Sequence, residues 1–148
     1  MNTVFTITTN GPACHELTRD VAGWLRDIGA GKGLVTLMVQ HTSASLLIQE
    51  NADPDVQVDL LGWLDRIAPP GNHPSMGWLR HTLEGPDDMP AHLKAAVLPV
   101  SLQIPVADGR MMLGRWQGIY LVEHRTAPHT RKVAALFMPS EPMVPGVS

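Results

Sequence analysis

Two groups of side chains in this sequence are equipped for chemistry. The first runs from position 41 to 59: His41, Thr42 and Ser43, then Glu50, Asn51, Asp53, Asp55 and Asp59. Asp55 and Asp59 are four residues apart, on one face of any helix that spans them. Like charges at that spacing repel, and a cation or basic partner between them removes the penalty. Hard cations such as Mg²⁺ take oxygen ligands of this kind. The competing reading makes Asp53 a helix cap, sets Asp55 against the positive end of the helix dipole, and leaves Asp59 solvated. The second group is His41, His81 and His92, which come from three separate places in the chain. Three imidazoles with an open position suit a catalytic zinc-type site. No close ligand spacing such as HxxxH ties them together, and the chain holds 7 histidines. His15, His73, His124 and His129 read as surface residues.

Weaker signals accompany these. Leu113-Gly114-Arg115-Trp116-Gln117-Gly118 sets two glycines around a Trp-Gln pair, which suggests a bulge or close backbone approach. Gln117 could bind a ligand through its amide, and Trp116 reads as core or subunit contact rather than a stacking platform. Arg125, His129, Arg131 and Lys132 form a small basic patch that could hold a phosphate or be a solvated hairpin. Ser43 and Ser45 lack the GxSxG context of a hydrolase nucleophile. No GxGxxG or Walker sequence offers a nucleotide cradle. Cys14 reads as a semi-buried thiol.

The elements that must position these residues follow from periodicity. Residues 3–9 alternate and read as a strand, closed by a turn at Asn10-Gly11-Pro12. Leu17, Val21, Trp24, Leu25 and Ile28 trace one face of a helix over 15–28. Residues 34–40 are almost wholly apolar, as in a buried strand, and 45–49 continue as a short one. Asp53-Pro54-Asp55 opens a second helix with Val56, Leu60, Trp63, Leu64 and Ile67 as its buried face, stopped by Pro69-Pro70-Gly71. Residues 71–88 form a long loop, and 90–98 a short third helix. Val100, Leu102, Ile104 and Val106 alternate up to an Asp108-Gly109 hairpin. Strands follow over 110–113, 117–123 and 131–138, and the chain from 139 reads as a frayed tail. The expected class is α+β: a mainly antiparallel, sandwich-like core with about three flanking helices, in a single domain over 1–148.

The bulk numbers narrow the possible partners. At 148 residues with 44% hydrophobic and 17% charged content, the chain can bury a core and is too apolar for disorder. No stretch approaches the roughly 20 apolar residues of a spanning helix, so no membrane partner is expected. A net charge of −3 argues against nucleic acid as a partner. Met1-Asn2-Thr3-Val4 does not read as a signal peptide. A single cysteine excludes an intrachain disulfide, and a cytoplasmic location is expected.

Taken together, these blocks resemble the YjbQ family, also known as the secondary thiamine-phosphate synthase family. The resemblance spans Phe5 to Met138. Its strongest parts are His41-Thr42-Ser43-Ala44, Gln49 through Val56 with Asp59, His81, Ala91-His92-Leu93-Lys94-Ala95, and Asp108-Gly109-Arg110 through Gly118. Arg131 falls where that family has a basic residue before its last strand. The resemblance implies a β-rich sandwich, usually a homotrimer, with a polar pocket near the subunit contacts. It also implies a weak capacity to join an aminopyrimidine diphosphate to a thiazole phosphate, so the expected ligand is small and phosphorylated. On that basis His41, Glu50, Asp59 and His92 are expected to be catalytic. Ser43, Asn51, Lys94, Gln117 and Arg131 are expected to bind substrate. A divalent metal, zinc or magnesium, is expected on His41, His81 and His92, or alternatively on Asp53 and Asp55. The sequence departs from the family at Pro99, where Gly is frequent, and at Arg115, where a small polar residue stands. Around Asp87-Asp88-Met89, relatives commonly have an Asn.

Overall fold

The computed structural model describes residues 1–141. Among the described residues the chain builds eight strands, β1 (Asn2–Asn10), β2 (Ala13–Glu16), β3 (Gly33–Val39), β4 (Ala44–Glu50), β5 (Ser101–Ala107), β6 (Arg110–Met111), β7 (Gln117–Glu123) and β8 (Pro128–Pro139). Three helices join them: α1 (Thr18–Asp27), α2 (Pro54–Ile67) and α3 (Asp88–Val97). One sheet has the order β1-β8-β3-β5-β6 and the other β2-β7-β4. Every registered pair is antiparallel. The α+β class expected from the strand-rich C-terminal third is what forms. No helix among the described residues is long and apolar enough to cross a membrane.

Alternation decides which faces meet. Val35, Leu37 and Val39 of β3 lie in register with Phe137, Ala135 and Val133 of β8. They share one buried cluster with Ile104 and Val106 of β5, Leu46 of β4, and Ile119 and Leu121 of β7. α1 adds Val21 and Leu25 to that cluster, and its N-cap residue adds Leu17. Each such side chain, fully buried, contributes roughly 1.5–3 kcal/mol. On the other side of the smaller sheet, α3 packs on β4 and α2 on β2. At the β5–β6 hairpin, Asp108 and Gly109 take φ of 52° and 75°, the left-handed pair that a two-residue antiparallel turn requires.

Several expectations are corrected, among them the strand over 110–113, which spans only Arg110–Met111. The first helix does not begin at 15, because Ala13–Glu16 pairs with β7 and Leu17 N–H donates to the Ile119 carbonyl at 2.7 Å. Tertiary pairing overrides the helical periodicity there. The third helix starts at Asp88 rather than Pro90, which puts Asp88 on the same helix as His92. Trp63 and Ile67 are exposed, at 53% and 47%. α2 is inset along Leu60, Leu64 and Ala68, a stripe that turns Trp63 and Ile67 outward. The loop over 71–88 carries one 3₁₀ turn at Pro74–Met76, capped by His73. Pro99 follows an extended Leu98 (ψ 156°), the conformation a residue before proline prefers, and its carbonyl accepts Leu46 N–H at 2.9 Å. Of the tail expected from 139, Pro139 still belongs to β8 and Ser140 N–H donates to the Lys32 carbonyl at 2.9 Å. The rest, 142–148, lies outside the described residues.

Where β3 meets β8, a Cβ on Gly33 would run into the Met138 carbonyl oxygen and sit 2.8 Å from Pro139 Cα. Both obstacles are backbone, so the strands must part. Gly33→Ala is expected to cost about 1–3 kcal/mol, read as a fall of several degrees in Tm by circular dichroism.

Candidate metal centre

α3 supplies the centre. Asp88 and His92 lie four residues apart and therefore on one helical face, and His81 arrives from the preceding loop. Asp88 Oδ2 is 2.6 Å from His81 Nε2 and 3.3 Å from His92 Nε2. The two imidazoles sit 5.6 Å apart, centre to centre. One ligand atom from each of the three residues lies within 4.8 Å of the others. His92 Nδ1 donates to the Thr42 carbonyl at 2.9 Å, which leaves Nε2 with its lone pair free for coordination. Exposure falls from His81 (50%) through His92 (31%) to Asp88 (7%), so the centre opens on the His81 side.

The carboxylates are held from behind. Arg125 donates from Nη1 to Asp88 Oδ1 at 2.7 Å and from Nε to Asp87 Oδ2 at 2.8 Å. Thr126 adds its backbone N–H and hydroxyl to the same Asp87 oxygen, at 3.0 and 3.1 Å. Burial alone would raise the Asp87 carboxyl, but the bonds from Arg125 and Thr126 outweigh it and hold it at about 2. Asp88 likewise stays below the usual carboxylate range, burial being outweighed by the His81 hydrogen bond and by the charges of His92 and Arg125. Two imidazoles and an ionised carboxylate suit a borderline transition ion such as zinc better than Mg²⁺, which prefers all-oxygen sites. The donor set therefore fits a divalent metal of the zinc type. A cavity of about 340 Å³, walled by Leu79, Pro86, Met89 and Pro90 with Thr82 on its rim, adjoins His81.

The other expected residues fall into two places. Ser43 and Arg131 lie at the Ala44 end of β4: Arg131 Nη2 donates to Ser43 Oγ at 2.9 Å, and its Nε and Nη2 hold Glu123 at 2.7 and 2.6 Å. His41 is nearby, where its Nε2 accepts the Lys132 N–H at 2.9 Å. Burial, then the Arg131 charge, lowers its pKa, and it is not in the ligand group. Lys94 is buried and pairs with Asp65 at 2.5 Å. The remaining residues sit at the opposite end of β4, about 20 Å away along seven residues of strand. There Glu50 Oε2 accepts Asp53 N–H at 2.9 Å, and Asp53 caps α2 through Asp55 N–H at 2.9 Å. Asn51 Nδ2 reaches the Gln117 carbonyl at 3.5 Å, and Gln117 Oε1 accepts Gly114 N–H at 2.7 Å. Asp55 and Asp59 are exposed on α2. Trp116 is also exposed, with the Arg115 guanidinium 4.7 Å from its ring centre.

Asp88, Glu123 and His124 were not singled out from sequence. Asp88 had a readable signal, the i,i+4 spacing to His92, but it counts only once the helix starts at 88. His124, expected on the surface, is 3% exposed and shares a 2.8 Å hydrogen bond between Nε2 and Ser45 Oγ. Burial, with the nearby Lys94 charge, pushes its pKa down to about 4. The unfolded chain protonates this imidazole near 6.5, so between those values it binds a proton the folded chain refuses. Stability is then full above pH 6.5 and falls toward pH 4, by about 3 kcal/mol. Thermal melts from pH 7 to 4.5 are expected to show that slope, and His124→Gln to flatten it.

A family model described as "UPF0047 protein YjbQ-like" matches residues 3–140. The chain is 43% identical to UPF0047 protein sll1880 of Synechocystis over 130 residues, 88% of this chain and 86% of that one. It is 39% identical to UPF0047 protein YjbQ of Escherichia coli O157:H7 over 132 residues, covering 88% and 91%. Among solved structures, hypothetical protein APE1520 of Aeropyrum pernix superposes with a TM-score of 0.84 at 30% identity, covering 95% of this chain and 99% of that one. A conserved protein of the yjbq/upf0047 family from Clostridium acetobutylicum superposes with a TM-score of 0.81 at 34% identity, covering 92% and 99%.

Proposed function

The chain belongs to the YjbQ-like UPF0047 family, and from that footing we propose that it is a divalent-metal-dependent enzyme acting on a small phosphorylated molecule. The observation that carries this reading is the convergence of His81, Asp88 and His92 within 4.8 Å, with the carboxylate of Asp88 buried and the His81 side open to solvent. These three residues would hold the ion. When bound, it would supply Lewis-acid charge neutralisation to a phosphoryl oxygen. The protein's own part is to keep Asp88 ionised through Arg125, to fix the His92 tautomer through the Thr42 carbonyl, and to leave the His81 side open beside the 340 Å³ cavity.

The reaction to assay is the one the family resemblance points to. The thiazole nitrogen attacks the pyrimidine methylene carbon, the carbon–oxygen bond to diphosphate breaks, and diphosphate leaves. The test supplies zinc-loaded and Mg²⁺-supplemented protein with both precursors. Thiamine phosphate above blank, lost in His92→Ala, supports the reading; product at the blank level with metal bound defeats this substrate assignment.

One observation favours a second reading, a non-enzymatic metal- or ligand-binding oligomer. The cationic heads of Lys94, Arg125 and Arg131 are already engaged by Asp65, Asp87, Asp88 and Glu123, so a diphosphate would find them spent. This reading predicts stoichiometric metal without turnover. In both readings the chain assembles as a homotrimer, for which the outward Val4, Met38, Leu136 and Met138 of the larger sheet offer an apolar face.

A further inference from the structure

We infer that Glu123, which touches none of the three candidate ligands, is a positioning residue that sets two of them from inside the core. The inference rests on the metal reading above and extends it to a residue with no place in the centre itself. Glu123 is 0% exposed. Its Oε1 accepts from the Thr9 hydroxyl at 2.5 Å and from Arg131 Nε at 2.7 Å. Its Oε2 accepts from Arg131 Nη2 at 2.6 Å, His124 N–H at 2.9 Å and Arg125 N–H at 3.2 Å.

Two arms leave this carboxylate. The first runs through the backbone amides of His124 and Arg125, which it pins where β7 ends. Arg125 then reaches Asp88 Oδ1 and Asp87 Oδ2 with its guanidinium. The second arm runs through Arg131, whose Nη2 also donates to the Ser43 carbonyl and hydroxyl at 3.2 and 2.9 Å. The residue before Ser43 is Thr42, whose carbonyl takes His92 Nδ1–H. The strand exit is fastened to the same stretch of β8, by Gln40 N–H on the Lys132 carbonyl at 3.0 Å and by Lys132 N–H on His41 Nε2 at 2.9 Å. The partner of Asp88 and the partner of His92 therefore descend from one buried anion. Among the described residues, the His81 side chain hydrogen-bonds only to Asp88.

A buried ion pair is a poor source of stability, because well-packed apolar side chains of the same volume usually do as well. What apolar residues cannot supply is five directed hydrogen bonds that fix two loops at once. Partners outside the ligand set typically govern metal affinity by 10–100-fold.

The experiment measures zinc affinity by competition with a chromophoric chelator, and the d–d absorption of the cobalt-loaded protein, in the full-length chain. Glu123→Gln keeps the shape and removes the charge. It is expected to weaken zinc binding about tenfold and to shift the cobalt bands, since both ligand arms loosen. Leu25→Ala, a buried core residue of α1 with no part in either arm, serves as the stability control and is expected to lower Tm while leaving affinity and spectrum unchanged. If Glu123→Gln does not fold, Glu123→Asp, which keeps the charge but shortens its reach, is read by the same two measurements. An unchanged affinity and spectrum in the folded Glu123 variant, or equal changes in Leu25→Ala, overturns the positioning role. Zinc that fails to bind the unaltered chain, or binds equally to His92→Ala, overturns the metal centre and this inference with it.

Discussion

Asp88→Asn is expected to abolish zinc binding at micromolar metal, with affinity falling roughly a hundredfold or more, as loss of one ligand from a small protein site implies. The carboxylate does three jobs that an amide cannot. It supplies the anionic ligand atom, it meets both imidazole Nε2 atoms with the same oxygen, and its second oxygen receives Arg125 Nη1 at 2.7 Å. An Asn can keep a single acceptor toward one of those partners and turns an N–H₂ toward another. Fold stability should change far less than affinity, because Arg125 retains Asp87 at 2.8 Å. Titration calorimetry with zinc, beside a thermal melt in chelator, separates the two effects. Zinc binding within threefold of the unaltered protein would show that His81 and His92 draw on some other anion.

Arg131→Met should be the most destabilising single substitution in the polar interior, by about 3–5 kcal/mol, because it strands the Glu123 carboxylate in the core. Glu123 is shut off from bulk solvent, and its pKa lies below the usual carboxylate value because the bonds from Arg131 and Thr9 outweigh burial. Its stabilising contribution is present above its unfolded pKa and is lost as pH falls through the folded value. In Arg131→Met the carboxyl instead rises, so the variant's deficit relative to the unaltered chain should shrink as pH falls from 7.5 to 5. Urea melts at pH 7.5 and 5 measure this. Adding Glu123→Leu to Arg131→Met should restore much of the loss. A single variant within 1 kcal/mol of the unaltered chain at both pH values would mean that the pair is not the buried ion pair its geometry describes.

Much of the fold was legible from the chain alone. The alternation of Leu102 through Val106, the Asp108-Gly109 turn and the capped start of α2 at Asp53-Pro54-Asp55 are local features, and each appears where expected, although Val100 falls outside the strand and is exposed. What failed locally failed for tertiary reasons: β2 exists because β7 offers it an edge, and Trp63 points outward because the sheet beneath α2 takes only one stripe. The site was legible in pieces. His81 and His92 were picked out by residue type, and the structure joins them. Asp88 gives no signal while the third helix is taken to start at Pro90, because its four-residue spacing to His92 counts only inside a helix that begins at 88. Arg125 and Arg131 read as a loose basic patch, when Arg125 is committed to Asp87 and Asp88, 38 and 37 positions earlier, and Arg131 to Glu123, 8 positions earlier. Pairings across such distances leave no periodic trace. Glu50, Asp53 and Gln117 drew attention as polar residues in a cluster, yet in the single chain they serve caps and turns at the far end of β4.

The start of α3 has one more consequence. Asp87 stands at the N-cap position but makes no side-chain bond to its own helix, because its carboxylate is taken by Arg125 and Thr126. The opening turn is therefore tethered by the β7–β8 connection rather than self-sealed. Fraying of that turn and withdrawal of the connection become a single opening event, so the amides of residues 88, 89, 91 and 92 should exchange with solvent as one unit, at a rate governed by the distant tether rather than by the helix's own propensity.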